Sequence, residues 1–334
     1  MIFKKTPWIY FFLASIISLV SHGVTIAAED VQKCRYVRTS QLAIDVVLEQ
    51  PLIKGSVNHL PAEFLLDTGA YKSSLSDSFV KRHQFKLSAT DRLSFGVGGD
   101  SRVYFTRVDE FSVGGIKGGA ITLQVDEKAA GAVHDGLVGA DFLFQSDIEI
   151  SYAEKLLRHF QPLNCKNTFL AYWDANATVL DLQTMNSKDA RPLFIVSLNG
   201  KPVKAMLDTG ATVTFIHTEA AKRIGMEFVD LGQSSNTAKG IGAREMKVEF
   251  AKFKRLEIGE ELIQDAVIRV GDFWGNTLLD HYSQAQEEAN KDEAELILGI
   301  DYIREHRILF AISQRKLYLS YLGGPLFLSD SVQQ

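Results

Sequence analysis

The sequence has few cysteines and histidines, and this excludes several kinds of catalytic centre. Two cysteines and eight histidines occur in 334 residues, and two cysteines are too few to hold an iron–sulfur cluster. The histidines are scattered, with no His-Glu-x-x-His motif and no cysteine–histidine spacing of a zinc site. A Gly-x-Ser-x-Gly motif and a phosphate-binding loop are also missing from the sequence. We therefore expect no metal and no cofactor.

Proline and excess positive charge are also lacking. Seven prolines leave no proline-rich tract, and a content of 46% hydrophobic and 23% charged residues is typical of a folded soluble protein. The net charge is −5, and no basic stripe is interleaved with aromatic residues. This argues against a nucleic-acid partner. The length suits two domains.

The longest apolar stretch near the N-terminus is short. Lys4 and Lys5 precede Trp8–Val20, a run of 13 uncharged residues that is too short to cross a bilayer as a helix. With Ala27 and Ala28 behind it, this layout predicts a signal peptide at residues 1–28. We expect an exported protein, periplasmic or secreted, with no stable membrane insertion after cleavage. An uncleaved anchor is the alternative, because the apolar run could extend to Ala28.

The two cysteines, Cys34 and Cys165, both lie in the expected mature chain. An even number of cysteines in an oxidising compartment favours one disulfide, which would close a loop of 131 residues. Two free buried thiols are the alternative.

The chain contains an internal repeat. A shift of 141 residues aligns Ser56–Arg82 with Ser197–Arg223 without a gap, and 10 of these 27 positions are identical. Further matches keep the same order and pair Gly96–Gly98 with Gly240–Gly242, and Leu137–Leu143 with Ile297–Ile303. We interpret this as a duplicated domain, with lobes at residues 29–165 and 191–334 and an ordered connection at 166–190.

The second half carries an insertion. The shift between matching residues grows from 145 at Val113 to 160 at Leu137, which places 15 extra residues within Asn276–Glu295. Their acidic composition favours a solvated helix. We interpret this segment as decoration on the fold, and a role in gating substrate is the alternative.

Local signals in both halves favour β structure. Asn58-His59 and Asn199-Gly200 each precede a short apolar run and have a proline three residues after the asparagine, which predicts β-hairpins. Short helices are expected at Asp77–His83 and Thr218–Ile224, because each segment begins with a capping residue and carries Lys-Arg in its last turn.

Each half also contains the sequence Asp-Thr-Gly-Ala, at Asp67–Ala70 and Asp208–Ala211. A single Asp-Thr-Gly is typical of a turn. Here each copy follows an apolar strand, and an apolar-apolar-Gly segment ending at Gly139 or Gly299 comes later in each half. The combined pattern is far more specific than any of its parts.

This pattern resembles the pepsin and retropepsin superfamily of aspartic peptidases, and it is closer to the retropepsins, from roughly Ala43 to Tyr321. The resemblance implies a mostly β fold of two duplicated acid-protease β-barrel lobes, related by a pseudo-two-fold axis, with short helices. It implies an aspartic endopeptidase in which Asp67 and Asp208 activate a water molecule to hydrolyse a protein or peptide substrate. One chain supplies both carboxylates, so we expect a monomer that acts as an internal pseudodimer.

The resemblance also implies roles for residues around the two aspartates. Thr68 and Thr209 would hydrogen-bond across the lobes, Gly139 and Gly299 would pack beneath the aspartate loops, and two glycine-rich hairpins would close over substrate as flaps. The remaining residues of the aspartate loops are Gly69, Ala70, Gly210 and Ala211, and those of the flap tips are Gly96, Val97, Gly98 and Gly99 in the first half and Gly240, Ile241 and Gly242 in the second.

Two alternatives remain open. A non-catalytic peptide-binding module could retain the aspartic-protease fold, although such a module is expected to have lost a carboxylate and both are present. The chain could also form a homodimer in which each lobe pairs with its twin, which a mass measurement in solution would distinguish from a single-chain pseudodimer.

Overall fold

The computed structural model describes residues 33–96, 99–114, 116–126, 133–183, 189–232, 237–238, 246–273 and 293–327. The expected signal peptide, the flap-tip residues Val97 and Gly98, the second flap tip Gly240–Gly242 and residues 276–292 of the insertion lie outside these ranges. Within them, no helix has the length and apolar character needed to cross a membrane.

Short strands dominate the described chain. Strands β1–β13 are Arg35–Ala43, Asp45–Val47, Gln50–Val57, Leu60–Leu66, Ser74–Ser76, Ser88–Gly96, Gly99–Val108, Phe111–Val113, Ile116–Gly118, Ile121–Asp126, Gly136–Val138, Asp147–Ser151 and Leu156–Leu163. Strands β14–β25 are Thr178–Asp181, Leu193–Leu198, Lys201–Leu207, Phe215–His217, Glu227–Val229, Thr237–Ala238, Met246–Lys247, Glu249–Ile258, Glu261–Gly271, Leu296–Leu298, His306–Ala311 and Lys316–Tyr321. Helices α1–α4 are Asp77–Arg82, Ala140–Leu143, Thr218–Ile224 and Ile300–Ile303.

Three large sheets organise these strands into two lobes and a shared base. The first lobe has strands in the order β6-β7-β10-β5-β11-β4-β3-β8-β9, and the second has β15-β16-β23-β17-β22-β21-β18. The third sheet, β1-β13-β12-β24-β25-β14, takes strands from both halves, which join where β12 pairs with β24. The expected fold, mostly β and built from two duplicated lobes, is confirmed.

The two predicted hairpins are present at equivalent places in the lobes. Asn58 and His59 connect β3 to β4, with φ values of 49° and 65°, and Asn199 and Gly200 connect β15 to β16, with φ values of 50° and 76°. Positive φ at both turn residues matches the right-handed twist of the paired strands, and Asn and Gly adopt it at low cost. The second strand of each hairpin, β4 or β16, leads directly into an Asp-Thr-Gly-Ala loop.

The two predicted helices also form, with small differences in the end of α1 and in the capping residues of both. Helix α3 has the expected bounds and ends at Gly225, which adopts φ 76°, whereas α1 ends one residue earlier than expected. The capping side chains belong to Ser76 and His217, one residue before the caps that the sequence suggested. Each helix buries an apolar side against its lobe, as Phe79 does in α1.

A disulfide joins Cys34 to Cys165, as expected. It connects the start of β1 to the chain just beyond β13, so it closes the first lobe's contribution to the shared sheet. In the following connection, which is described through residue 183, Trp173 donates a hydrogen bond from Nε1 to Ser320 Oγ at 3.0 Å. The exact domain boundaries remain a prediction.

Candidate active site

Parallel strands position the first Asp-Thr-Gly-Ala loop. Strand β4 enters this loop and lies parallel to β11, and the Asp67 N–H donates to the Val138 carbonyl at 3.1 Å. Beyond β11, the Ala140 N–H donates to the Ala70 carbonyl at 2.8 Å. Gly139 lies between these bonds, where a Cβ atom would come within 2.9 Å of the Ala70 oxygen. Only glycine therefore allows the second segment to pack so closely beneath the loop.

The second half repeats this arrangement. Strand β16 lies parallel to β23, the Asp208 N–H donates to the Leu298 carbonyl at 3.0 Å, and the Ile300 N–H donates to the Ala211 carbonyl at 2.8 Å. A Cβ on Gly299 would come within 2.8 Å of the Ala211 oxygen. The two aspartates therefore occupy equivalent positions on equivalent supports.

Reciprocal threonine hydrogen bonds fasten the two loops to each other. The Thr68 hydroxyl donates to the Leu207 carbonyl at 2.7 Å, and the Thr209 hydroxyl donates to the Leu66 carbonyl at 2.6 Å. Each hydroxyl also accepts the backbone N–H of the opposite threonine at 3.0 Å. Both side chains are buried, so four hydrogen bonds replace water at the centre of the lobe interface.

The structure brings the two aspartate side chains together. A Cβ on Gly69 would lie under 3.0 Å from Asp208 Cγ, and a Cβ on Gly210 would lie 2.6 Å from Asp67 Cγ. Each carboxyl group therefore rests on the glycine of the other lobe. A hydrogen bond joins the two carboxyl groups.

Backbone N–H groups hold each carboxyl group in place. Oδ1 of Asp67 accepts hydrogen bonds from Gly69 and Ala70 at 3.1 and 2.8 Å. Oδ1 of Asp208 accepts from Gly210 and Ala211 at 2.8 and 3.2 Å. The second oxygen of each group is left for contacts across the pair.

Electrostatics favour one shared proton in this pair. Burial raises the pKa of Asp67 well above its ordinary value, and the negative charge of Asp208 raises it further, while the Ala70 and Gly69 N–H groups lower it. Burial also raises the pKa of Asp208. Two carboxylates in contact cannot both be ionised without strong repulsion, so the pair titrates as a unit.

Two further residue pairs, which the sequence reasoning missed, support the loops. Ser73 Oγ accepts from the Gly139 N–H at 3.0 Å and donates to Asp141 at 2.8 Å. In the second half, Thr214 Oγ1 makes the corresponding bonds to Gly299, at 3.1 Å, and to Asp301, at 2.6 Å. The aspartates follow the two glycines at matching positions of the repeat, a signal that could have identified them.

The glycine-rich hairpins are only partly described. Gly96 and Gly99 face each other at the end of the β6–β7 hairpin. In the second half, β19 and β20 pair on either side of the segment that contains the other expected tip. Their proposed role as flaps stays a prediction.

Comparison with known proteins agrees with this geometry. A sequence model described as aspartyl protease matches residues 53–142 and 194–302, one segment in each lobe, and together they cover more than half of the 334 residues.

The chain belongs to the aspartyl protease family. Each matched segment contains one Asp-Thr-Gly-Ala loop and the strand, glycine and helix that support it. The family match is therefore duplicated in the same way as the structure.

This aspartyl protease family member also resembles Protein DDI1 homolog 1 of Caenorhabditis elegans. The two are 22% identical over 173 residues, which is 49% of this chain and 40% of the relative. The chain thus matches less than half the length of that curated relative.

Proposed function

We propose that this protein is an aspartic endopeptidase in which Asp67 and Asp208 together activate a water molecule. The observation that carries the proposal is the contact between two carboxyl groups, one from each lobe, in a site where burial and mutual repulsion raise the pKa of Asp67. Such a pair contains a base and an acid at the same pH, which is what peptide hydrolysis without a metal requires.

The reaction follows from this pair. The ionised carboxylate accepts a proton from the water molecule while the water oxygen attacks the carbon of the peptide carbonyl. The neutral carboxyl group donates its proton to the carbonyl oxygen. The tetrahedral intermediate then breaks at the C–N bond. The newly protonated carboxyl group protonates the leaving nitrogen, and the other carboxylate takes back the hydroxyl proton, which restores the single shared proton.

Active-site substitutions test the proposal directly. We expect Asp67→Asn and Asp208→Asn each to lower turnover of a denatured-protein mixture by about 1000-fold, because each variant lacks half of the acid–base pair. Mass spectrometry of the new peptide termini measures cleavage. Asp265→Asn is the matched control, because Asp265 is exposed and its φ of 52° suits asparagine.

Two outcomes would contradict the proposal. A folded Asp67→Asn or Asp208→Asn variant that keeps more than a few per cent of wild-type turnover would show that the pair is not the catalytic group. Binding of peptides by folded wild-type protein, with no cleavage between pH 3 and 8, would instead indicate a peptide-binding module.

The proposal extends to export and to the assembly of the active protein. Residues 1–28 would be removed during export to a periplasmic or extracellular location, where the Cys34–Cys165 disulfide is stable. N-terminal sequencing of protein from its native compartment tests this, and a retained Met1 would contradict it.

The active species would be one chain, since both carboxyl groups come from it. A solution mass of two chains for the active fraction would contradict that.

A further inference from the structure

The two aspartates have different neighbours at one equivalent position. The register of β15 and β16, extended by two residues, sets Arg191 opposite Asp208. The register of β3 and β4, extended in the same way, sets Gln50 opposite Asp67. The repeat pairs the same two residues, because Gln50-Pro-Leu and Arg191-Pro-Leu match at the shift of 141. The paired residues nearest to them are Leu193 opposite Met206 and Leu52 opposite Leu65, so the duplication has put a cation near one aspartate and an amide at the equivalent place near the other.

Arg191 is held rigidly at this position. Its side chain is 9% exposed, and Nε donates to both oxygens of Asp189 at 3.1 Å. Nη2 donates to Glu293 Oε2 at 2.9 Å. A guanidinium fixed by two carboxylates keeps a constant distance from Asp208, so its field acts on that carboxyl group without the averaging of a mobile side chain.

The charged groups around Asp208 have opposite effects on its carboxyl group. Burial raises the pKa of Asp208, whereas the Gly210 N–H, the hydrogen bond to Asp67, the Ala211 N–H and, least of these, the charge of Arg191 lower it. Asp189 and Glu293 are the charged partners of Arg191 and weaken its field. From the first lobe, Tyr152 is also within the field of this carboxyl group: burial raises the pKa of its phenol, and the charge of Asp208 raises it further. Asp67 is acted on by burial, the Asp208 carboxyl group and two N–H donors. Arg191 is the cation among these groups, and it acts on Asp208.

We propose that Arg191 holds the shared negative charge on Asp208 and leaves the shared proton on Asp67. The inference rests on the proposed function and assigns its steps: Asp208 accepts the proton of the attacking water, and Asp67 donates to the peptide carbonyl oxygen. Arg191 is a positioning residue here, since it acts through Asp208.

Carbon-13 NMR of aspartate carboxyl groups tests the assignment without relying on turnover. Each single variant leaves one aspartate of the pair: Asp67→Asn leaves Asp208, and Asp208→Asn leaves Asp67. The titration midpoint of Asp208 in the first variant should lie about 1 pH unit below that of Asp67 in the second. Adding Arg191→Gln to Asp67→Asn should raise the midpoint of Asp208, since a cation is removed and two carboxylates stay. Adding Gln50→Arg to Asp208→Asn should lower the midpoint of Asp67.

The choice of variants keeps the test decisive. Loss of a buried ion pair can prevent folding, and if Arg191→Gln does not fold, Gln50→Arg decides, because it removes no ion pair. Arg191→Lys should restore the low midpoint of Asp208, which a merely structural role of the arginine would not require. Equal midpoints for the two aspartates, or a lower midpoint for Asp67, would overturn the assignment.

Activity of the otherwise wild-type protein provides the second measurement. Arg191→Gln should move the pH profile of kcat/KM upward, because removal of a cation raises both macroscopic pKa values of the pair. If wild type cleaves peptides and the folded Arg191→Gln variant has the same pH profile of kcat/KM, this inference alone is overturned. Absence of cleavage by wild type would overturn the proposed function, and the NMR midpoints would still decide the effect of Arg191.

Discussion

Gly69 and Gly210 show how closely the two carboxyl groups are packed. Each glycine supports the aspartate of the other lobe, and neither site has room for a methyl group. The sequence repeat singles out both residues, but a repeat alone does not say which atoms a glycine must approach. The structure explains the residue type by a contact across the lobe interface.

Gly69→Ala should therefore damage the site. We expect a loss of stability of about 1–3 kcal/mol from overcrowding and a fall in turnover of about 100-fold, because the Asp208 carboxyl group must move. Urea unfolding and peptide cleavage measure the two effects. Gly119→Ala is the matched control, since a Cβ there meets nothing within 4 Å. Equal activity of the two variants would refute the steric explanation.

His159 is a second residue with a measurable consequence. Its imidazole is 1% exposed, Nδ1 contacts Ser146 Oγ at 3.0 Å, and burial lowers the pKa to about 4. In the unfolded chain the group titrates near the ordinary value of about 6.5. Between these values the unfolded state binds the proton more strongly, so stability falls as pH falls.

We expect this histidine to cost the fold about 2 kcal/mol between pH 7.5 and pH 5. Urea unfolding at the two pH values should show a smaller difference for His159→Gln than for wild type. His59→Asn, whose side chain is 81% exposed, is the comparison variant. The same pH dependence in His159→Gln as in wild type would remove His159 as the cause.

At the scale of elements, the Asp-Thr-Gly-Ala loops link two sheets that otherwise belong to separate lobes. The hairpins and helices around each loop follow from local signals: asparagine at the turns, Lys-Arg in the last helical turn, and Gly225 at the end of α3. The actual N-caps differ by one residue from those expected, because Ser76 and His217 have the extended backbone that a cap needs.

The threonine hydrogen bonds are expected to stabilise the lobe interface. Thr68→Val removes a hydroxyl that serves the Leu207 carbonyl and the Thr209 N–H, both buried. The loss should be about 2–3 kcal/mol in the free energy of unfolding. Thr68→Ser keeps the hydroxyl and should keep most of the stability. If the urea midpoint fell further in Thr68→Ser than in Thr68→Val, packing of the methyl group would be the larger contribution instead.

At the scale of the whole molecule, the shared six-stranded sheet makes the two lobes one structure. Strand β12 of the first half pairs with β24 of the second, from Ile148 opposite Phe310 to Ser151 opposite Arg307. Buried Glu149 lies on β12 and accepts hydrogen bonds from Arg158 and Arg307. The sheet that carries the lobes is therefore held by backbone pairing and by charge.

The disulfide should matter most for this sheet. It closes a loop of 131 residues, for which the chain-entropy argument gives at most about 4–5 kcal/mol of stabilisation. Adding dithiothreitol should lower the urea midpoint of wild type. The Cys34→Ser/Cys165→Ser double variant should have this lower urea midpoint without reductant, and dithiothreitol should not change it. A wild-type midpoint that did not change after complete reduction would contradict this.

The sequence by itself determined the duplication, the β character, the two hairpin turns, the two helices and the pair of cysteines. These features are carried by short segments or by identity between them, so they can be read without knowing how the halves meet. Tertiary structure alone decided that Gly69 touches Asp208, that Thr68 and Thr209 exchange hydrogen bonds, and that β12 pairs with β24. Contacts between such distant segments of the chain depend on how whole lobes pack, and no local preference encodes that packing.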